Sequence, residues 1–324
     1  MGLMIPLMIS AGCSTFLIGI SVLQPAKMTI PSTIQRVSLF PGAGIPDPPG
    51  VIDSIHIKHL EPGYDYNHLK RGYMDGAYES MAASPRFLKV VIADTAYEDL
   101  LTSGKISWDE IKQICNHDTT DAVLMLKKAV SRDTLISYLF PGLSCSFVYR
   151  VINHTKWTFL EPFRQNTCTD IVLADTSIFD EENENCDPGS ELENIHDFLW
   201  DAFYSTGTRF AELICPTWQN DIQRILYIGP GYQMRQASLF ALDNQWDRAA
   251  ETWNVLAESR NKRHASHASF NLALAWEQDD NLDQALLWIN HADSLLSNGR
   301  SLAYKKILES RIKNRELLDQ QMIR

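Results

Sequence analysis

A repeated helical pattern in the C-terminal part of the chain is the feature that most constrains its fold. When the sequence is compared with itself at an offset of 36 residues, alanines and bulky apolar residues coincide. The coinciding pairs are Ala237 with Ala273, Phe240 with Trp276, Trp246 with Leu282, Ala249 with Ala285, and Trp253 with Ile289. Each unit is predicted to be a helix, a short polar turn and a second helix. Because one such unit cannot bury its apolar face alone, the units are expected to stack into a helical repeat domain.

The pattern is typical of tetratricopeptide units, in which small residues mark the closest helix crossing. A helix predicted over 301–320 would cap one end, and helices within 198–211 and 218–227 would close the other. Stacked units leave a concave surface lined by the first helix of each unit. On that surface we expect four residues to face a protein or peptide partner: Arg235, Gln236, His267 and Asn271. Solvated helix positions without a partner are the open alternative for these four.

The first half of the chain predicts an α/β domain with a mixed sheet. Alternating or short apolar runs predict strands, and a spacing of four between apolar residues predicts a helix. Ser107 with Glu110 three residues later predicts a capping box at the start of a second helix. Predicted strands cover 34–40, 87–93, 121–130, 145–152, 156–160 and 169–174, with a turn at 153–155, and predicted helices cover 64–83 and 107–117.

An acidic stretch separates the two halves. Residues 175–197 carry nine carboxylates, and no Lys or Arg lies between Arg164 and Arg209. Repulsion between like charges predicts a solvated, extended loop. Cation binding and docking of a basic partner are the alternatives for this stretch.

The N-terminus predicts a lipoprotein signal. Residues 1–26 contain no charged side chain, and an apolar run ends in small residues just before Cys13. A signal peptidase requires small side chains before its cleavage site, and the Cys13 thiol would receive the lipid. Ser10 replaces the usual Leu three residues before the cysteine, and a basic N-terminal region is missing. An uncleaved membrane helix over 3–23, or a cytosolic chain with Cys13 in a core, is the alternative.

The remaining cysteines do not form a recognisable metal or redox motif. No C-x-x-C pair occurs among the six cysteines, which disfavours a zinc ribbon or a thioredoxin-type site. Cys168 and Cys186 are the pair that we would first expect to form a disulfide. Two H-x-x-H spacings, at His56 and at His264, lack an acidic third ligand, so we predict no metal site.

No pattern in the chain indicates catalysis. Walker, nucleophile-elbow and H-E-x-x-H motifs are absent, so we predict neither an enzyme nor a cofactor. The net charge of −11 also disfavours nucleic acid as a partner, because phosphate contacts require a surplus of cations. The alternative is a periplasmic small-ligand-binding protein or enzyme whose site on the α/β domain involves Asp94, Trp108, Asp121 and His154.

Several blocks of the sequence resemble an uncharacterised family of Bacteroidetes lipoproteins with C-terminal tetratricopeptide-like repeats. The blocks include Cys13-Ser14-Thr15, the segments 22–40, 72–87, 106–115, 121–126 and 207–224, and the repeat pair itself. The resemblance implies an exported, lipid-anchored protein with an α/β domain followed by helical repeats. It implies no catalytic residues. The absence of a Lys and an acidic pair after Cys13 favours an orientation towards the periplasm.

These observations together predict an α+β chain that acts as a non-enzymatic interaction or assembly module of the cell envelope. The lipid on Cys13 would hold it at the outer membrane, and the helical repeats would bind a protein or peptide. The predicted organisation is a signal peptide at 1–12, a tether at 13–33, an α/β domain at 34–175, an acidic linker at 176–197 and a helical domain at 198–324.

Overall fold

The computed structural model describes residues 14–42, 55–56, 66–93, 107–139, 145–167, 170–183, 195–229 and 231–322. The chain divides into two compact units. The first, here called the sheet domain, contains Ala26–Thr217 and Gln321–Arg324. The second, here called the helical domain, contains Met1–Pro25 and Trp218–Gln320.

The sheet domain is a seven-stranded mixed sheet with helices on both faces. Its elements in chain order are β2 (Arg36–Pro41), β3 (Ile55–His56), α1 (Tyr66–Ala83), β4 (Lys89–Ile92), α2 (Trp108–Asp118), β5 (Ala122–Leu139), β6 (Cys145–Glu161), β7 (Asn166–Thr167), β8 (Ile171–Asn183) and α3 (Ile195–Ile214). Strand β2 pairs in parallel with β4 and β5, and β3 also runs parallel to β5. The long strand β6 is antiparallel to β5, β7 and β8.

The alternation of side chains along β5 divides the core between the two faces of the sheet. Leu124 and Leu126 pack with α1 and α3, whereas Val123 and Met125 pack with α2. A register shift between Leu126 and Lys128 inserts an extra residue before Ala129 returns to the first face. A β-bulge of this kind lets a strand change phase while it remains paired.

Glycines allow helices α1 and α3 to cross with their backbones in contact. A Cβ atom on Gly76 would overlap the carbonyl oxygen of Tyr204, and one on Gly207 would overlap that of Tyr73. Tyr73 then stacks on Phe203 across the crossing, with ring centroids 4.6 Å apart. The crossing therefore depends on the absence of side chains at these two positions.

The helical domain combines a two-stranded ribbon with antiparallel helices. Strand β1 (Ser14–Gln24) pairs with β9 (Thr217–Ile228) to form the ribbon. Ala249 and Ala285 are fully buried where adjacent helices pack, as the offset predicts. The helices are α4 (Tyr232–Leu242), α5 (Trp246–Ala257), α6 (Lys262–Gln278), α7 (Leu282–Leu295) and α8 (Gly299–Gln321).

The predicted fold class is confirmed, and so is the capping box of α2. Ser107 accepts a hydrogen bond from the Glu110 amide, and the Glu110 carboxylate accepts one from the Ser107 amide. The turn predicted at 153–155 is wrong, because β6 runs through it as one strand and the hairpin is formed by β5 and β6. The helix predicted over 218–227 is wrong as well, since those residues lie in β9.

Three predicted boundaries differ from the structure. The tether at 13–33 contains β1, whose Ile20 and Val22 are buried in the core of the helical domain. The acidic linker at 176–197 is in part the continuation of β8, and residues 184–194 lie outside the described residues. The sequence predicts that the helix after the acidic stretch belongs to the helical domain, but this helix, α3, packs in the core of the sheet domain. The signal peptide at 1–12 also lies outside the described residues.

Candidate interaction surfaces of the helical domain

The ribbon covers the side of the helical domain that is lined by the first helix of each unit. The carbonyl oxygen of Tyr227 on β9 accepts hydrogen bonds from Ser238 on α4, at 3.0 Å, and from Asn271 on α6, at 2.9 Å. The guanidinium of Arg300 on α8 lies 5.9 Å from the centroid of the Tyr227 ring. One residue of the ribbon thus contacts α4, α6 and α8.

His267 on α6 packs flat against this tyrosine. Its imidazole and the Tyr227 ring are parallel to within 6°, with centroids 4.0 Å apart. Burial lowers the pKa of His267 to about 4, and the nearby charges of Arg263, His264 and Arg300 act in the same direction. His267 is therefore a neutral stacking residue at neutral pH.

A buried ionic cluster around Glu277 also connects the ribbon to the helices α6 and α8. The carboxylate of Glu277 on α6 accepts two hydrogen bonds of 2.9 Å from Arg224 on β9. It also accepts hydrogen bonds from Tyr304 and Arg311 on α8, at 2.6 Å and 2.9 Å. Burial alone would raise the pKa of Glu277, but these donors and positive charges outweigh it and lower the pKa. The cluster joins the ribbon to two helices.

These contacts divide the four predicted partner residues into two pairs. Arg235 and Gln236 are exposed on α4, and their contact with a partner stays a prediction. His267 is only 6% exposed and Asn271 is fully buried, so the prediction that they face a partner is wrong. The sequence contains a signal for this burial: residues 265–275 of α6 are apolar, small or neutral on every side of the helix.

Arg235 and Gln236 lie on an exposed and partly apolar face of α4, here called the α4 face. It consists of Tyr232, Arg235, Gln236, Leu239 and Leu242, whose spacing of three and four places them on one side of the helix. Tyr232 is 71% exposed and Leu239 is 63% exposed. An exposed helix face with large apolar side chains and a polar margin is typical of an interaction surface.

A groove between α5 and the end of α6 is the second surface, here called the tryptophan groove. It has a volume of about 430 Å³. Its walls contain two indole rings, two alanines and three carboxylates. The lining residues are Trp246, Asp247, Ala250, Glu251, Asn254, Ala275, Trp276 and Asp279.

A smaller cavity of about 360 Å³ lies at the start of α4. His264 and His267 contribute to its wall, together with Met234, Leu256 and the backbone at Gly231. Its two histidines form the H-x-x-H spacing of α6. Among the described residues no group of three His, Cys, Asp or Glu side chains could hold a metal ion.

Two of the four residues of the alternative site on the sheet domain, Asp121 and His154, lie far apart. The Asp121 carboxylate accepts hydrogen bonds from the amides of Gln35 and Arg36, which is a structural role. His154 pairs with Val130, nine residues along β5 from Asp121 and thus about 30 Å away. Trp108, the first residue of α2, is partly buried against the core between α2 and the sheet. Asp94 lies outside the described residues. The predicted lipidation site Cys13 and the predicted disulfide pair Cys168 and Cys186 lie outside them as well.

The polar residues that do meet in the sheet domain form a satisfied, buried network. Asn153 on β6 accepts hydrogen bonds from Ser131 and Tyr73 and donates one to Thr206. Thr206 donates in turn to Asp175, which forms an ion pair with Arg209. Since buried polar groups cost free energy unless they are paired, this network explains how β6 can carry Asn153 inside the core.

The described architecture is that of an α+β protein with a mixed-sheet domain and a C-terminal helical domain. The chain belongs to the family described as Domain of unknown function (DUF8603), whose model matches residues 50–227. A second family model, Domain of unknown function (DUF6340), matches residues 235–310 in the helical domain. No curated protein matches the chain. In the part of the chain that the structure describes, no helix is both long and apolar enough to cross a membrane.

Proposed function

We propose that this protein is a non-enzymatic interaction module of the cell envelope, and that it binds a protein partner through the α4 face of a tetratricopeptide-like repeat. One observation carries the proposal: Tyr232 and Leu239 remain largely exposed beside Arg235 and Gln236. The side on which a partner was expected is covered by the chain's own ribbon. Among the exposed apolar side chains of the domain, Tyr232 and Leu239 share one face of α4, at the first end of the helical array.

The composition of the α4 face indicates the kind of contact that it makes. Tyrosine and arginine are enriched at the energetically important centres of protein interfaces, where an apolar neighbour excludes water from the polar contacts. Tyr232, Arg235 and Leu239 offer such a combination on successive turns of one helix. The expected partner is a protein surface with an apolar patch and an acceptor for the guanidinium.

The proposed location rests on Cys13. A lipid on this residue would be separated from β1 by no intervening residue, because the strand begins at Ser14. The anchor would then be attached to the helical domain itself, whose core contains Ile20 and Val22 of β1. Held in this way at the periplasmic side of the outer membrane, the domain would present the α4 face to partners in the same compartment.

Site-specific photo-crosslinking in the native host tests the interaction. A photoreactive amino acid at position 239 is expected to give one discrete protein adduct, and Arg235→Glu in the same chain is expected to weaken it. Position 178 on β8 is a matched control, since Ile178 is 58% exposed and lies on the sheet domain. Equal adducts from positions 178 and 239, or none from 239, would contradict the proposal.

The anchor is tested separately by intact mass. Native protein from the membrane fraction is expected to lack residues 1–12 and to carry a lipid on Cys13, and Cys13→Ala is expected to move it to the soluble fraction. An unprocessed mass in the soluble fraction would remove the envelope location while leaving the α4 interaction open to the crosslinking test.

A further inference from the structure

The tryptophan groove contains three carboxylates to which the described part of the chain supplies no cation. Asp247, Glu251 and Asp279 all line the groove, and none of them forms an ion pair with a described residue. Arg248 is the cation closest in sequence, but its guanidinium lies 4.0 Å from the centroid of the Phe240 ring. The groove therefore has an unbalanced negative charge.

The next repeat shows how this position is neutralised elsewhere in the same domain. At an offset of 36 residues, Asp247 at the start of α5 corresponds to Asp283 at the start of α7. Asp283 forms an ion pair of 3.1 Å with Arg315 on α8. The residue that corresponds to Arg315 in the first repeat is Asp279, which directly follows α6. A carboxylate thus stands where the second repeat supplies a guanidinium.

The two repeats also differ in their aromatic residues at this position. Trp246 and Trp276 line the groove, whereas the corresponding residues of the second repeat are the aliphatic Leu282 and Ile312. A guanidinium stacks favourably on an indole face and donates paired hydrogen bonds to carboxylates. The first repeat therefore has both features that would bind the group it lacks.

We infer that the tryptophan groove binds an arginine side chain from a peptide segment of the protein partner. The guanidinium occupies the position that Arg315 holds in the second repeat, between Asp247 and Asp279 and beside the two indole rings. This inference rests on the proposed function, because the arginine belongs to the partner. It adds a second contact, which selects a basic segment, to the apolar contact of the α4 face.

A titration of the full chain with short peptides tests the inference. The probes are the blocked tripeptides of arginine, lysine and glutamate, and the readout is the indole N–H resonances of Trp246 and Trp276 in NMR spectra. The arginine peptide is expected to shift both resonances saturably, to bind roughly fivefold more tightly than the lysine peptide, and to weaken with added salt. Equal binding of the glutamate peptide would overturn the inference.

Substitutions in the groove give the decisive comparison. Asp279→Arg supplies the missing cation from within the chain, so it is expected to abolish binding of the arginine peptide. Asp247→Asn is expected to weaken binding at least roughly fivefold, because one charged acceptor of the guanidinium is lost. Glu309→Gln removes an exposed carboxylate of α8 in the same domain and should leave the affinity unchanged.

The outcomes separate this inference from the proposed function. All three substituted positions are exposed, so the variants are expected to fold, and the dispersion of the indole resonances checks that they do. Unchanged binding in both Asp279→Arg and Asp247→Asn would refute the arginine site. Crosslinking from position 239 would still report on the α4 face in that case.

Discussion

Asn271 on helix α6 pairs with the backbone of Tyr227 in the way that a neighbouring strand would. Its Oδ1 atom accepts a hydrogen bond of 2.9 Å from the Tyr227 amide, and its Nδ2 atom donates one of 2.9 Å to the Tyr227 carbonyl. A side chain thus satisfies both polar groups of a buried strand residue that faces a helix. This contact fixes the position of β9 along α6.

Replacing Asn271 by alanine is expected to destabilise the helical domain by about 2 to 3 kcal/mol. The Tyr227 amide would be left buried without an acceptor, whereas the carbonyl would retain Ser238 as a donor. Urea denaturation followed by circular dichroism measures the loss. Asn290→Ala, on the exposed side of α7, is the control, and an equal effect of the two substitutions would refute the role of Asn271.

Acidification is expected to weaken the helical domain through His267. The pKa of this residue is about 4 in the folded chain and 6.5 in the absence of burial, so the unfolded chain takes up the proton first as the pH falls. The free energy of unfolding therefore keeps its neutral-pH value above pH 6.5 and declines as the pH falls towards 4. At pH 5 the expected loss is roughly 2 kcal/mol. His267→Phe keeps the stacking and cannot titrate. A stability profile between pH 7 and 5 that is the same in both chains would contradict this assignment.

The Glu277 cluster is expected to be intolerant of a neutral replacement. Glu277→Gln keeps the size of the side chain but leaves the buried guanidinium of Arg224 without its counter-charge. Breaking a buried ion pair from one side costs about 3 to 5 kcal/mol. Thermal denaturation should show a large decrease in Tm. Glu316→Gln, at an exposed position of α8, serves as the comparison and should have little effect.

The crossing of α1 and α3 gives a prediction for the sheet domain. Gly207→Ala places a methyl group about as close as 2.9 Å to the Ala77 amide nitrogen and closer still to the Tyr73 carbonyl. The helices must separate, which is expected to cost about 2 to 3 kcal/mol despite the better helix propensity of alanine. Gly299→Ala is the control, because the added methyl group at this position would have no atom within 4 Å. A Gly207→Ala chain as stable as the parent would exclude a tight crossing.

Local patterns in the sequence were sufficient for those elements whose stability is local. The capping box at Ser107 and Glu110 and the four-residue spacing of α1 depend on neighbours within one or two turns, so they could be predicted without the fold. The burial of Ala249 and Ala285 could also be predicted, because the 36-residue repeat places both alanines beside the helix that is adjacent in sequence.

The elements that were mispredicted depend on contacts between distant residues. The segment 218–227 has several polar residues in succession and no clear period, and it becomes a strand because β1 pairs with it. Asparagine is common in turns, so Asn153 favours a turn in the sequence. In the structure its side-chain amide is buried and forms hydrogen bonds with Tyr73, Ser131 and Thr206. The sequence places His267 and Asn271 on a binding surface, because periodicity along a helix does not show that a distant strand, β9, will cover it.

The pairing of β1 with β9 has a consequence for the order in which the protein can acquire its structure. The strand β1 is synthesised early, but its partner β9 follows only after the whole sheet domain, and the helices that cover both strands come later still. Closing so long a loop is slow, whereas all strand pairings of the sheet domain lie within the continuous segment Ala26–Thr217. We therefore expect the N-terminal strand to wait unpaired until the last helices emerge, which makes it the segment most in need of a chaperone during synthesis or export.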